Sequence, residues 1–233
     1  MFIPLYDYNP LRYLTRPYAN YTLIAFTCLA FFTTGGFDRL AVESAAVGWG
    51  FIPSVVNDFE ELPASYGAIP ENATYVTYAF LHADWLHLGG NMAFLWVFGD
   101  NVEDALGHIR YVLFYVACAA AAAFVHSFIN PVSPFPLIGA SGAVAGIVGA
   151  YLVLHPRAKL WILAFGRIPL RLSAMWVLGG WALFQAFNIL VAVPDGAVAW
   201  WAHLGGMLAG ALLIIVLRRR GVALFDRGTP APS

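Results

Sequence analysis

Four polar residues lie in otherwise apolar stretches of this sequence, and their types could support nucleophilic chemistry. Ser141 stands at the start of one apolar run, and His203 stands near the start of another. A serine hydroxyl becomes an effective nucleophile when a nearby base such as histidine removes its proton. His87 and Asn91, four residues apart, carry side chains that can donate hydrogen bonds to a developing oxyanion. The residue types therefore suggest a Ser–His site.

Membrane-spanning helices must position these residues, because the composition is that of a membrane protein. Of the 233 residues, 61% are hydrophobic and 11% are charged, and the mean hydropathy is +0.71. Soluble domains carry about 25% charged residues. An all-α, six-helix polytopic bundle is predicted, since a spanning helix needs about 20 mostly apolar residues. The six apolar segments are approximately Tyr18–Gly35, Trp85–Val102, Arg110–Phe128, Ser141–Leu154, Arg171–Val193 and Val198–Leu217.

The segments divide the chain into three predicted parts. Residues 1–17 form a cytoplasmic N-terminal segment, residues 18–217 form the membrane domain, and residues 218–233 form a cytoplasmic tail. We expect the first apolar segment to be retained, because prolines and an aspartate interrupt the first 20 residues, which is the wrong order for the charged and then apolar regions of a cleavable signal. Residues 36–80 form a long first outer loop, and we expect it to be partly embedded, because its apolar pieces are too short to span.

The basic residues predict the orientation of the chain. Eleven of the 12 Lys and Arg residues fall on the side of the two termini, and only Arg39 falls on the other. The positive-inside rule therefore places both termini in the cytoplasm, and we expect a bacterial inner membrane. The lipid bilayer is an expected partner, whereas a net charge of −1 gives no indication of nucleic-acid binding. The oligomeric state is left open.

Three of the polar residues are predicted to lie at one depth. His87 and Ser141 each lie 16 residues before the charged residue that ends their segment, and His203 lies 15 residues before its own. At about 1.5 Å per residue, all three are ~22–24 Å from the inner boundary. Asn91 lies one helical turn deeper on the face of His87. Polar groups on three helices at one depth suggest a shared, water-accessible site.

Each residue also has a structural explanation. A lone serine among small residues is usually a helix-packing residue. A lone membrane histidine is more often a packing residue or a member of a proton relay, and His87 with Asn91 could be a structural pair. A transporter would need an ionisable acid in the bundle, and the last three apolar segments contain no Asp or Glu.

The surrounding motifs resemble the signature of the rhomboid family of intramembrane serine proteases. The fourth segment is preceded by Gly139, which opens the GxSG pattern with Ser141 and Gly142. The sixth segment carries the AHxxGxxxG pattern, and the second carries HxxxxHxxxN followed by a glutamate and a glycine. The residues at the fixed positions of these last two patterns are Ala202, His203, Gly206, Gly210, His82, His87, Asn91, Glu103 and Gly107.

The resemblance implies a six-helix protease of the simple bacterial type that cuts single-pass membrane proteins in or near their spanning segment. Ser141 would be the nucleophile and His203 the base, and His87, Asn91 and the Ser141 backbone N–H would stabilise the oxyanion. The resemblance also implies that the substrate enters past the fifth predicted helix, Arg171–Val193. No cofactor is expected, and no metal, because no HExxH is present. Supporting or packing roles fall to His82, Gly139, Gly142, Gly206, Gly210 and Glu103.

Two positions depart from the family pattern. Many rhomboids carry a Trp-Arg pair in the first loop, where this chain has Ala73-Thr74. An aromatic residue often packs on the catalytic histidine from the position held here by Ala145. The role of the loop and the support of His203 are therefore open. The main alternative is a rhomboid-like protein that binds membrane clients without cutting them, although such relatives usually lack the serine or the histidine.

Overall fold

The computed structural model describes residues 2–36, 38–63, 65–66, 69–191 and 199–226, and within them the chain is mostly helical. A π-helical turn at Leu95–Gly99 joins the helix Trp85–Phe94 to the helix Asp100–Leu106. Two 3₁₀ turns, Glu71–Ala73 and Tyr78–Phe80, flank the short helix Thr74–Thr77. The α-helices of the described ranges are α1 (Tyr18–Thr33), α2 (Arg39–Trp49), α3 (Pro53–Val56), α4 (Thr74–Thr77), α5 (Trp85–Phe94), α6 (Asp100–Leu106), α7 (His108–Ile129), α8 (Ser141–Leu154), α9 (Ala174–Val191) and α10 (Trp200–Leu217).

Three helices in the described part of the chain, α7, α9 and α10, are long and apolar enough to cross a membrane. Two more, α1 and α8, are apolar but have only 16 and 14 residues. The structure therefore shows a mainly helical chain with three candidate membrane-spanning helices among the described residues, and the count of six crossings stays a prediction. Val193 and Val198, the predicted ends of the last two segments, lie outside the described residues.

A small sheet corrects the all-α expectation. The strands β1 (Phe2–Asp7), β2 (Lys159–Ala164) and β3 (Ile168–Ser173) form an antiparallel sheet in the order β1-β2-β3. Leu160 and Ile162 alternate along β2 and are buried against the bundle. Strand β3 also takes Arg171–Ser173, so α9 begins three residues later than its predicted segment. Hydropathy alone missed these strands because each has only six residues, too few to stand out as a spanning segment.

The helices α8 and α10 pack with their backbones in close approach. A Cβ atom added to Gly206 would lie 2.0 Å from the carbonyl oxygen of Gly142. A Cβ atom added to Gly210 would lie 2.0 Å from the carbonyl oxygen of Gly146. Small residues let membrane helices approach in this way. We call this contact the α8–α10 seam, and it brings the first turns of both helices together.

A buried carboxylate ties α1 to α6 at the end of the bundle opposite Ser141. Glu103 accepts hydrogen bonds from the backbone N–H groups of Ala19 (3.0 Å) and Asn20 (2.7 Å), and it also contacts His108. The first N–H groups of a helix have no intrahelical acceptor, and the helix dipole favours a negative charge beside them. Glu103 therefore caps α1, which defines its supporting role.

The first outer loop is anchored beside the segment that leads into α8. Phe51 is fully buried and packs on the Tyr75 ring, with 4.6 Å between ring centroids. Its backbone exchanges two hydrogen bonds with Leu137, of 3.1 and 2.7 Å. The loop thus supports the start of α8 through residues other than Ala73-Thr74. Its embedding in the membrane stays a prediction.

Candidate active site

Ser141 is the first residue of α8, and the chain turns sharply just before it. Gly139 has a φ of +117°, a conformation that side chains strongly disfavour. A Cβ atom at this position would also lie 2.5 Å from the Cε1 and Nε2 atoms of His87. Glycine is therefore required twice, for the turn and for the approach of the His87 ring to the serine segment.

His203 lies in the first turn of α10 and faces the serine. Its Nε2 atom is 2.9 Å from Ser141 Oγ. The two residues are 62 positions apart in the sequence, and the α8–α10 seam brings them to hydrogen-bonding distance. A neutral imidazole whose Nε2 lone pair points at this hydroxyl can remove its proton.

The other ring nitrogen of His203 has a partner that the sequence analysis missed. Gln185 of α9 places its Oε1 atom 3.1 Å from His203 Nδ1, and the Gln185 side chain is only 3% exposed. The rings of Trp181 and Trp200 also flank the imidazole, at centroid distances of 6.1 and 6.2 Å. In many rhomboids an aromatic residue packs on this histidine from the position that Ala145 holds here. In this chain, Gln185, Trp181 and Trp200 contact the imidazole instead.

A periodic signal could have found Gln185. Leu178, Trp181 and Gln185 follow one another at spacings of three and four residues, which places them on one helical face. The first of them is fully buried. A polar residue on the buried face of a membrane helix indicates function or a specific partner.

His82 is the hydrogen-bonding partner of Asn91 in the structure. Asn91 lies four residues after His87, so the two could form a structural pair, but its Nδ2 atom is 3.0 Å from His82 Nε2. The same His82 nitrogen lies 3.4 Å from the backbone N of Ala140. The rings of His82 and His87 are 4.9 Å apart between centroids. His82 therefore links Asn91 to the residue just before Ser141.

The polar partners of the dyad in the described residues are all uncharged groups. His203 contacts Gln185 and Ser141, and the described ranges contain no group of three or more His, Cys, Asp or Glu side chains that could hold a metal ion. Asp195, which the sequence places in an outer loop, lies outside the described residues. The arrangement is a serine–histidine pair at the end of a close-packed helical bundle.

The comparisons with known proteins identify the family. A model of the Rhomboid domain matches residues 70–220. The chain is 32% identical over 139 residues to Rhomboid protein 1, mitochondrial, of Saccharomyces cerevisiae, covering 58% of this chain and 38% of that protein. It is 29% identical over 183 residues to Rhomboid-like protein 11, chloroplastic, of Arabidopsis thaliana, covering 72% and 60%. It is 31% identical over 157 residues to human Rhomboid-related protein 3, covering 66% and 38%. The chain belongs to the rhomboid family, as the motifs predicted.

The relatives give no support to the predicted bacterial type or to the predicted bacterial inner membrane. The chain matches between 38% and 60% of the length of these three proteins. All three are eukaryotic, and two are named for mitochondria or chloroplasts. The simple bacterial type and the bacterial inner membrane therefore stay predictions.

Proposed function

We propose that this protein is an intramembrane serine endopeptidase that cleaves single-pass membrane proteins in or near their spanning segment. The observation that carries the proposal is the 2.9 Å distance between Ser141 Oγ and His203 Nε2. Membership of the rhomboid family supports it, since the serine and the histidine are both present at their motif positions.

The proposed architecture has six membrane crossings. They are α1, the continuous segment from α5 through the π-helical turn to α6, and α7 to α10. Because the Lys and Arg residues cluster on the side of the termini, we place both termini in the cytoplasm and the dyad toward the outer face. The bacterial inner membrane is the membrane that we propose for it.

In the proposed reaction, His203 Nε2 takes the proton of Ser141 as Oγ attacks the scissile carbonyl carbon. The electron pair of the C=O bond moves to oxygen, and a tetrahedral intermediate forms. His203 then gives the proton to the leaving amine while the C–N bond breaks. Water, activated by the same imidazole, cleaves the acyl-enzyme ester and restores Ser141.

Three donors are available for the oxyanion. The backbone N–H of Ser141 is one of the first in α8, where the intrahelical acceptors are missing. The His87 ring lies against Gly139. The Asn91 amide uses one N–H toward His82 and keeps a second one free to donate. Loss of one such donor typically costs about 3–4 kcal/mol of transition-state stabilisation.

Substrate entry past α9 fits the packing of this helix. In its most apolar 18-residue window only 22% of the residues are buried, against 39% in α7 and in α10. A transmembrane helix hides its carbonyl groups in hydrogen bonds, so a substrate must unwind before Ser141 can attack. Residues that weaken helices should therefore favour cleavage.

Labelling with a fluorophosphonate probe tests the proposal. The purified wild type should be modified at Ser141, and both Ser141→Ala and His203→Ala should lose the label while they keep their helical circular dichroism. A wild type that is folded, stays unlabelled and leaves a small transmembrane substrate intact would contradict the proposal and support the client-binding alternative.

A further inference from the structure

Gln185 is the feature of the site that the rhomboid motifs do not account for. It is a buried polar residue on α9, the least buried of the three long helices. Most large apolar side chains in the second half of α9 are exposed, including Leu183 at 73% and Phe187 at 58%. An amide is costly to bury in apolar surroundings unless it is hydrogen-bonded. In this structure its oxygen faces His203 Nδ1 at 3.1 Å.

The direction of this hydrogen bond decides which tautomer His203 adopts. An amide oxygen only accepts, so Oε1 selects the imidazole that carries hydrogen on Nδ1. That tautomer leaves the Nε2 lone pair facing Ser141 Oγ, 2.9 Å away. The opposite tautomer would place a hydrogen on Nε2, and the imidazole could not take the serine proton.

We propose that Gln185 is a positioning residue that holds His203 in the Nδ1–H tautomer and thereby keeps its Nε2 atom available as the base. Gln185 would thus act with Ser141 and His203 as an uncharged third residue. The effect on rate rests on the proposed protease function, whereas the hydrogen bond itself does not.

An amide suits this place better than a carboxylate. A carboxylate on α9 would have to be kept charged in an apolar environment, which is expensive for a membrane helix. The aromatic neighbours of His203 cannot replace it, because a ring edge or face offers no comparable acceptor for Nδ1–H. Trp181 and Trp200 restrict the imidazole by packing, and Gln185 fixes where its proton sits.

The rate test compares three variants of the full chain. Gln185→Met keeps the length of the side chain but removes the acceptor, Gln185→Glu keeps an acceptor oxygen, and Asn188→Leu is the matched control. Asn188 is a polar residue of the same helix whose amide bonds to Phe184 of its own helix, at 2.7 Å. We expect Gln185→Met to slow fluorophosphonate labelling of Ser141 about 10- to 100-fold. Gln185→Glu should label faster than Gln185→Met, because it keeps an acceptor oxygen, but more slowly than the wild type, because a carboxyl group is costly to bury here. Asn188→Leu should stay within about threefold of the wild type.

A spectroscopic test reads the tautomer without any turnover. The protein is labelled with ¹⁵N-histidine, and the His203 signals are identified by their absence in His203→Ala. The wild type should show a protonated Nδ1 and an unprotonated Nε2, and Gln185→Met should show a mixture or the opposite tautomer. Helix content and thermal midpoint should match between the two proteins.

The two tests separate failure of this inference from failure of the proposed function. If Gln185→Met labels as fast as the wild type and keeps the same His203 tautomer, the inference is overturned. If the wild type is never labelled but Gln185→Met changes the tautomer, the hydrogen bond stands and the protease proposal fails.

Discussion

The α8–α10 seam and the helix α9 hold the two sides of the same histidine in opposite ways. On the seam side, backbone meets backbone, and a Cβ atom on Gly206 or Gly210 would lie 2.0 Å from a carbonyl oxygen. On the α9 side, Gly179 and Gly180 have open space where a Cβ atom would stand. The α8 side of His203 is thus closely packed, backbone against backbone. On the other side, α9 contacts the histidine through the side chains of Trp181 and Gln185.

The contrast separates two requirements of a protease in a membrane. The distance between nucleophile and base must be constant, and a rigid, interdigitated contact provides that. A substrate helix must also reach the dyad, and a loosely packed helix can move at lower cost. Substitutions can change each side separately.

The largest effect is expected from a change in the seam. Gly210→Ala places a methyl group against the Gly146 carbonyl, where only a shift of the whole helix relieves the clash. We expect loss of fluorophosphonate labelling and destabilisation by about 3 kcal/mol or more, the upper range for overpacking. Labelling rates and thermal midpoints in detergent measure both.

The matched control is the same substitution on α9. Gly180→Ala meets no atom within 4 Å. Because alanine favours a helix over glycine by about 0.5–1 kcal/mol, this variant should be as stable as the wild type or more so. Equal losses in Gly180→Ala and Gly210→Ala would refute the contrast between the two sides.

A smaller effect is expected when α9 is tied to α5. The rings of Phe94 and Trp181 are 6.1 Å apart between centroids, so cysteines at these positions can be joined by a short bifunctional reagent. We expect the cross-link to lower cleavage of a transmembrane substrate at least tenfold, relative to the uncross-linked double variant, because the substrate can no longer pass α9.

Two controls accompany the cross-link. Each single-cysteine variant is treated with the same reagent, which accounts for modification of Cys28. Labelling by the small fluorophosphonate probe should continue in the cross-linked protein, since the dyad is intact. Unchanged cleavage of the transmembrane substrate after complete cross-linking would rule out entry past α9.

A still smaller effect on activity is expected from removing the Trp181 ring, which α9 places beside His203. Trp181→Leu removes an aromatic neighbour of the imidazole but leaves Gln185 in place. We expect kcat for a transmembrane substrate to fall about three- to tenfold, in line with the loss of one aromatic packing contact. A fall as large as that of His203→Ala would show that packing, and not the hydrogen bond, holds the imidazole.

The smallest effect leaves activity untouched and concerns motion alone. Amide hydrogens of α9 should exchange at least about tenfold faster than those of α8, because few buried contacts protect α9 from local opening. Mass spectrometry of deuterium uptake in micelles compares the two helices in one sample. Equal protection would show that α9 is as firmly packed as the seam.

Signals in the sequence predicted the Ser141–His203 pair, whereas two contacts that support it were not predicted. The bounds of α8 agree with the predicted Ser141–Leu154, because a glycine-containing turn and a charged loop enclose one apolar run. Gly206 and Gly210, for which packing roles were expected, lie where the backbones of α10 and α8 meet. The contact of Asn91 with His82 was not predicted, because His82 lies before α5, where helical spacing gives no information. Gln185 lies 18 residues from His203 on a different helix, and no local pattern joins the two.

The pairing of β1 with β2 also sets an order of events during synthesis. Tyr8, directly after β1, bonds to Trp161 of β2 from 153 residues away. At about 5–20 residues per second, the first strand leaves the ribosome roughly 8–30 s before its partner exists. The segment synthesised first therefore finds its strand partner only after helices α1 to α8 have been synthesised.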